Sequence, residues 1–197
     1  VIEALKLAYA DRDTYYADQD FVSVPAAGLL SKEYARERAA QIDPTQSSTE
    51  FLAGDPLKYD ADVNEWPYWV AGKDEQPMGS GLSLTQTDFP SSLKDTSHIA
   101  IIDKDGNVFD STPSGGWIGG AVILGDTGIG MSVRGEQFWL DKRRAAQLRP
   151  RSRPRYTLTP SIVLKDGEPF LAIGTPGGDN QEQTILQTFL NIVELWP

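Results

Sequence analysis

The sequence has no cysteine, one histidine and two methionines among its 197 residues. The absence of cysteine excludes disulfides, thiolate metal sites and a cysteine nucleophile, and a single histidine argues against a zinc site. The chain also lacks an apolar run of the roughly 18–20 residues that a membrane span needs, and it lacks the glycine motifs that hold phosphates or dinucleotides. We therefore expect no metal, no cofactor and no membrane span in this sequence.

Basic residues are also scarce, with 18 Lys and Arg against 28 Asp and Glu and a net charge of −10. The imbalance lies in residues 1–95, which hold 8 basic and 17 acidic residues, whereas residues 96–197 hold 10 and 11. An acidic surface repels nucleic acid and anionic membranes, so we expect neither as a partner. With 40% hydrophobic and 10% aromatic residues, the chain is able to bury a core.

Residues 1–44 carry two helical patterns. Apolar side chains at helical spacing predict an amphipathic helix from the first residues to about Ala17. The stretch begins inside this pattern without a capping residue, so we expect a portion of a longer chain. A second helix is predicted to begin after Ser31, a good N-cap residue, and to run to Ile42, because Pro44 stops it.

Turn-forming residues dominate the segment 45–94, which contains several glycines and four prolines, Pro56, Pro67, Pro77 and Pro90. Connections in compact domains usually span about 4–6 residues, so a loop of this length is expected to be functional or disordered. It ends at the sequence Asp95-Thr96.

The alternating segments that follow predict strands. "HIAIID" and "VFDST" flank the turn "KDGN" and predict a β-hairpin, and "SIVLK" and "FLAIG" predict a second hairpin around "DGEP". "AVILG" and "GIGMSV" are also predicted strands. Residues 180–194 carry one apolar helical face. Helices, a long loop, strands and a final helix together predict an α+β fold with an antiparallel sheet covered by helices.

Thr96 is a candidate nucleophile because it follows the long loop and begins the first hairpin. A hydroxyl is a weak nucleophile at neutral pH unless a base takes its proton, and the α-amine of an N-terminal threonine is one such base. The pKa of an α-amine is about 7.7–8, which is close to working pH. This chemistry requires cleavage between Asp95 and Thr96, and an accessible loop would permit it.

Two glycine-rich segments have alternative interpretations. "GTPGGD" joins a strand to a helix, so it is either an ordinary turn or an oxyanion hole in which the N–H groups of Gly177 and Gly178 face developing negative charge. "TPSGGW" is a similar loop from Thr112 to Trp117. His98 alternates with Ala100 in the hairpin, which favours a half-buried histidine over a member of a catalytic triad.

The stretch "KRRAAQLRPRSRPR" concentrates seven cations between Lys142 and Arg155. A nucleic-acid patch is one interpretation, but the acidic chain and the lack of aromatic residues before Tyr156 oppose it. We expect a solvated or salt-bridged connector, or a clamp for a substrate carboxylate.

Taken together, these segments resemble the γ-glutamyltransferase (γ-glutamyltranspeptidase) family of N-terminal nucleophile (Ntn) hydrolases. Residues 3–43 look like the end of that family's large subunit, and "DTSHIAIIDKDGNV" resembles the start of its small subunit. "RPRYTLTPSIVLKDGEPFLAIGTPGGDNQ" is similar to the core of the small subunit. The resemblance implies an αββα sandwich, a large-subunit segment at 1–95 paired with a small-subunit segment at 96–197, and a precursor that cleaves itself.

The resemblance also implies roles for particular residues. Thr96 matches the nucleophile that is freed by autocleavage after Asp95, and its α-amine matches the base. Thr112 matches the threonine that hydrogen-bonds the nucleophile. Gly177 and Gly178 match the glycines of the oxyanion hole. The implied reaction transfers an acyl group from a γ-glutamyl amide to water or to an amino acid.

The substrate positions depart from the family pattern. Ser114 lies near a substrate-contacting asparagine, Glu136 and Gln137 occupy the place of an acidic pair, and Tyr156 and Thr157 replace two serines. Gln137 puts an amide where a carboxylate would meet the donor's ammonium group. Two alternatives therefore stand beside γ-glutamyl cleavage: an acylase for donors without that ammonium, such as cephalosporin or glutaryl amides, and a silent homologue that does not process itself and serves as a binding module.

Overall fold

The structure is a computed structural model that describes residues 1–74, 96–115, 122–132 and 134–195. Within these residues the helices are α1 (Ile2–Tyr15), α2 (Ala26–Leu29), α3 (Lys32–Ala39) and α4 (Gln181–Leu195). The strands are β1 (Ile99–Ile102), β2 (Val108–Ser111), β3 (Ser161–Lys165) and β4 (Glu168–Ile173). Short 3₁₀ turns lie at Pro56–Tyr59, Arg134–Gln137 and Gly178–Asn180. Helices together with antiparallel strands confirm the α+β class.

The chain divides into two compact units. The first combines Val1–Thr85 with Gly135–Arg155, and the second combines Gln86–Arg134 with Tyr156–Pro197. The boundary predicted between the large-subunit segment (1–95) and the small-subunit segment (96–197) is a cleavage site in a precursor. It stays a prediction, because Asp95 lies outside the described residues.

The helices of the first unit follow their sequence signals. The hydroxyl oxygen of Ser31 accepts a hydrogen bond from the Tyr34 N–H at 3.1 Å, which confirms the predicted N-cap of α3. The helix ends at Ala39, with weaker turns up to Ile42, because helix ends fray over the last residues. Glu33 in its first turn complements the helix dipole.

The first part of the predicted long loop builds the core of this unit. Residues 45–74 hold one 3₁₀ turn, but Ala53, Trp69 and Ala71 are buried against Ala10 and Tyr15 of α1. The carbonyl of Gly54 accepts a hydrogen bond from the Tyr15 hydroxyl at 2.8 Å. This part of the loop is therefore structural, and residues 75–94 lie outside the described ranges.

Two antiparallel hairpins belong to the second unit and confirm two predictions. In the first, Gly106 adopts a φ of +82° and Asp103 accepts hydrogen bonds from the N–H groups of Asp105 and Asn107, which closes the turn. In the second, Asp166 and Gly167 have φ of +55° and +87°, the pattern of a type I′ turn.

The prediction of strands at "AVILG" and "GIGMSV" is wrong for the described residues 122–132. An isolated antiparallel bridge between Ile123 and Gly130 takes their place. Val122, Ile123 and Met131 are all at least half exposed, so no packed apolar face supports longer pairing here.

The final helix runs Gln181–Leu195 and confirms the helix predicted at 180–194. Its first residue, Gln181, is fully buried, and Ile185 one turn later is 8% exposed. Among the described residues, no helix combines the length and the apolar character needed to cross a lipid bilayer.

Candidate functional site

The register of the first hairpin places Thr96 opposite Ser114. Ile99 pairs with Ser111 and Ile102 pairs with Val108, so partners across the hairpin keep a constant offset. Extending that register by three residues pairs Thr96 with Ser114. The neighbouring pair is Ser97 with Pro113, in which the Ser97 N–H donates to the Pro113 carbonyl at 3.0 Å. The Thr96 Oγ1 and Ser114 Oγ atoms lie 2.7 Å apart, a hydrogen-bond distance.

The same register pairs His98 with Thr112. The Thr112 hydroxyl lies 3.1 Å from Nδ1 of His98, and Thr112 is only 4% exposed. His98 is half-buried and hydrogen-bonded, as its alternation predicted. Thr112 thus contacts His98, and Ser114 contacts the Thr96 hydroxyl. The predicted hydrogen bond from Thr112 to the nucleophile stays a prediction.

Asp110 lies on this face as well, and the sequence analysis missed it. Its Oδ1 is 3.7 Å from Nδ1 of His98, and its side chain is buried. Both carboxylate oxygens lack a hydrogen-bond partner within the described part of the chain, as does Nε2 of His98. Strand alternation carries the signal, because Asp110, Thr112 and Ser114 are two residues apart and share a face.

The glycine segment that follows β4 begins against this cluster. A Cβ on Gly174 would lie 2.3 Å from Cε1 of His98, so only glycine permits this close approach. Gly177 and Gly178 then adopt φ of +136° and +57°, which disfavour any side chain. Both precede α4, whose N-terminal end carries the partial positive charge of the helix dipole. Their role as oxyanion donors stays a prediction.

Buried polar contacts fix the glycine segment to residue 157. Thr157 is 3% exposed, whereas Tyr156 is 60% exposed. With its amide nitrogen turned toward them, the fully buried Gln181 donates to the carbonyls of Thr175 and Thr157 at 3.1 and 3.2 Å. This side chain therefore ties the start of α4 to both segments.

Arg134 is a second residue that the sequence analysis missed. Its Nη1 donates to the Thr157 hydroxyl at 3.3 Å, and its N–H donates to the Ser132 hydroxyl at 3.2 Å. Ser132 in turn packs against Gly115, because a Cβ added to Gly115 would lie only 2.9 Å from Oγ of Ser132. A guanidinium group therefore lies beside Thr157.

Glu136 and Gln137 fall in the first unit, whereas the predicted catalytic residues fall in the second. They lie on the 3₁₀ turn Arg134–Gln137, where the Gln137 amide donates to Glu136 Oε1 at 3.4 Å. Their contact with a substrate stays a prediction.

The basic stretch is largely a paired connector within the first unit. The Arg144 guanidinium stacks between Trp69 and Trp139, with distances of 3.6 and 3.8 Å to the ring centroids. Arg153 binds Asp18 and Asp20, with N–O distances of 2.6 Å. These contacts confirm the salt-bridged interpretation. In the described ranges, no three acidic or histidine side chains gather as a metal site.

The cluster around Thr96 has the groups that acyl transfer uses. Thr96 supplies a hydroxyl, and the Ser114 hydroxyl lies 2.7 Å from that oxygen. Backbone N–H groups in a glycine segment are suited to stabilise a developing oxyanion without a metal. An α-amine at residue 96 would supply the base.

Comparison with known proteins gives an independent observation. The chain matches the family model described as gamma-glutamyltranspeptidase over residues 1–196. A glutathione hydrolase-like YwrD proenzyme of Bacillus subtilis (strain 168) is 33% identical over 185 residues, which are 93% of this chain and 28% of that protein.

Solved structures show the same relationship in three dimensions. LmbA2991HD is 34% identical with a TM-score of 0.71, covering 98% of this chain and 30% of that one. A cephalosporin acylase from Bacillus halodurans is 27% identical with a TM-score of 0.65, covering 98% of this chain and 29% of the acylase. This chain therefore spans less than a third of the length of these relatives.

Proposed function

Because the chain belongs to the γ-glutamyltranspeptidase family, we propose that it carries the catalytic centre of an autoprocessing N-terminal-threonine amidohydrolase and acyltransferase. The observation that carries the proposal is the position of Thr96, whose hydroxyl begins a hairpin with a hydroxyl partner at 2.7 Å. The family relationship and the glycine segment at 174–178 support the same chemistry.

The first reaction is cleavage of the precursor. The Thr96 hydroxyl oxygen attacks the carbonyl carbon of Asp95, the C–N bond breaks, and the hydroxyl proton passes to the threonine nitrogen. Water then hydrolyses the resulting ester, which leaves a carboxylate on Asp95 and a free α-amine on Thr96. This amine is the base that the mature nucleophile requires.

The second reaction transfers an acyl group. The α-amine takes the proton from the Thr96 hydroxyl while its oxygen attacks the amide carbonyl of the donor. The N–H groups of Gly177 and Gly178 stabilise the oxyanion, for which loss of one donor typically costs about 10²–10³ in kcat. Collapse expels the donor's amine, which takes the proton back, and water or an amino acid then accepts the acyl group.

We place this centre in an αββα sandwich formed with the rest of the protein. The exposed apolar residues of the first hairpin, Ile99, Ile101 and Phe109, support this arrangement, because each is 47–56% exposed in the described chain. On this proposal, residues 1–95 end a large subunit and residues 96–197 begin a small subunit. Its partners are the paired subunit of the same precursor and a small amide substrate.

The donor we favour is a γ-glutamyl amide such as glutathione, because the relatives include glutathione hydrolase-like proenzymes. A second candidate is an acylase for donors that lack the α-ammonium group. Gln137 favours it, because an amide replaces the expected carboxylate, and a related structure is a cephalosporin acylase.

Hydrolysis of two matched anilides by the full-length protein tests the donor. γ-Glutamyl p-nitroanilide and glutaryl p-nitroanilide differ by the α-ammonium group, so their ratio of kcat/KM measures its recognition. We expect faster turnover of the γ-glutamyl compound, and Thr96→Ala should abolish turnover of both. Preference for the glutaryl compound would select the acylase, and no turnover of either by a folded, uncleaved protein would select the silent homologue.

A further inference from the structure

The buried carboxylate of Asp110 has no part in the two reactions described above. Its side chain is 2% exposed, and both of its oxygens lack a hydrogen-bond partner among the described residues. A carboxylate in such a place is costly unless a neighbouring group compensates it. Within the described part of the chain, the basic group beside Asp110 is His98, with 3.7 Å between Oδ1 and Nδ1. The imidazole is therefore the group on which this carboxylate acts.

Asp110 and Thr112 approach the same nitrogen of that imidazole. The Thr112 Oγ1 atom lies 3.1 Å from Nδ1 of His98, and Asp110 approaches Nδ1 from two residues earlier on the same strand. A carboxylate beside one ring nitrogen favours the proton on that nitrogen, which then donates to the nearer acceptor. Nδ1 carries a proton in this arrangement whether the ring is neutral or charged. The two side chains together fix the orientation of the ring.

The ring edge that they fix lies against the glycine segment. A Cβ on Gly174 would lie 2.3 Å from Cε1 and 2.4 Å from Nδ1 of His98, so the Gly174 backbone touches the edge that contains Nδ1. Because β4 ends at Ile173, the imidazole limits the path of the chain as it leaves that strand. Gly177 and Gly178, the proposed oxyanion donors, follow within four residues of Gly174.

His98 also belongs to the part of the chain that carries the nucleophile. It follows Thr96 by two residues, and strand alternation places both side chains on one face of the hairpin. The imidazole therefore joins the strand of the attacking hydroxyl to the segment whose N–H groups receive the negative charge. Catalysis is sensitive to this alignment, because a displacement of about 1 Å can cost roughly 100-fold in rate.

We propose that Asp110 is a positioning residue that holds His98 against Gly174 and thereby aligns the oxyanion donors with Thr96, an inference that rests on the proposed function. Asp110 makes and breaks no bond. Its charge orients the imidazole, and the imidazole sets the backbone path that leads to Gly177 and Gly178. This role accounts for a buried carboxylate that no hydrogen-bond donor satisfies within the described residues.

Asp110→Asn in the full-length protein tests the charge, because asparagine keeps the size of the side chain. Asp105→Asn is the matched control, since it removes an exposed carboxylate from the turn of the same hairpin. His98→Phe keeps a ring without nitrogen atoms, and the double variant of residues 98 and 110 completes a cycle. The measurements are kcat and KM with γ-glutamyl p-nitroanilide per molecule cleaved before Thr96, and the thermal unfolding midpoint.

We expect Asp110→Asn to be cleaved and to lower kcat by about tenfold, with KM within about twofold, because oxyanion donors act in the transition state. His98→Phe should show a similar loss. The double variant should be no slower than His98→Phe, because the charge acts through the ring. Asp105→Asn should match wild type. If Asp110→Asn alone unfolds at the assay temperature, the comparison of the double variant with His98→Phe decides.

The possible failures are distinct. If wild type cleaves itself and turns over substrate while Asp110→Asn matches Asp105→Asn, the role of Asp110 is wrong and the proposed function stands. The same conclusion follows if the double variant is a further tenfold slower than His98→Phe, or if folded Asp110→Asn stays uncleaved or changes KM as much as kcat. If wild type neither cleaves nor turns over substrate, the proposed function fails and the role of Asp110 fails with it.

Discussion

Short polar side chains occupy one face of the first hairpin, where an ordinary sheet would bury apolar ones. Asp110, Thr112 and Ser114 alternate along one strand and its extension, and His98 and Thr96 face the last two. Buried polar atoms are costly unless they are paired, so their presence here indicates function rather than packing. The carboxylate of Asp110 has no hydrogen-bond partner among the described residues, which is a cost that a structural role does not explain.

Gln181 provides the clearest test of how a single residue supports this site. It is fully buried and donates to the carbonyls of Thr157 and Thr175. Gln181→Leu leaves two carbonyls without donors, and we expect it to lower the free energy of unfolding by about 2 kcal/mol and to reduce kcat. Denaturant unfolding and initial rates of the full-length protein provide the measurement.

Gln187→Leu is the matched control, because Gln187 lies on the same helix and is exposed. Its free energy of unfolding should stay within about 0.5 kcal/mol of wild type. Equal effects of the two substitutions would show that Gln181 does not tie the glycine segment to Thr157.

At the scale of elements, the segment 142–155 is held by arginines that bind loops and aromatic rings of the first unit. The Arg153 guanidinium and N–H both bind Asp18, which follows α1. These hydrogen bonds hold the pKa of the Asp18 carboxyl well below its usual range. The ion pair therefore joins two elements that are 135 residues apart in the chain.

This depressed pKa predicts a pH dependence of stability. Because the unfolded carboxyl binds protons more readily than the folded one, the contribution of Asp18 is complete above its unfolded pKa of about 3.9. It is lost as the pH falls from about 4 through the lower folded pKa. Asp18→Asn should be less stable than wild type at pH 6 and should lose less stability between about pH 4 and pH 2.

Denaturant unfolding across this pH range is the measurement. Asp126→Asn removes one exposed carboxylate elsewhere and controls for the change in net charge. Parallel pH curves for wild type and Asp18→Asn would contradict the assigned ion pair.

Local signals were sufficient to predict α1, α3, α4 and both hairpins, whereas the short helix α2 was not predicted. Ser31 as an N-cap and the Asp-Gly turns act over a few residues, so their effect is visible in the sequence. The apolar run at 122–131 led to a wrong prediction of strands, because its side chains are exposed in the structure. Whether such side chains become buried depends on packing with distant parts of the chain. The contact of Thr96 with Ser114 follows from the hairpin register, so it could have been predicted from the sequence. The burial of Gln181 and the position of Arg134 could not have been predicted in this way.

At the scale of the whole molecule, the two units interrupt each other along the chain. Residues 135–155 lie downstream of Thr96 yet belong to the first unit, where Arg144 stacks on Trp69 and the Arg143 carbonyl accepts from the Trp69 N–H at 2.8 Å. A cut before Thr96 would therefore leave two segments that remain bound through this unit. We therefore expect the two products of such a cut to stay paired without a covalent bond.

The most direct test of the account is the mass of the full-length protein over time, measured under denaturing and native conditions beside Thr96→Ala. The account predicts that wild type separates under denaturing conditions into two pieces, the second beginning at Thr96, and that native spectra show them together. Thr96→Ala should stay whole. A wild-type chain that remains uncut at this bond, or a Thr96→Ala chain that is cut there equally fast, would contradict the assignment of Thr96 as the nucleophile.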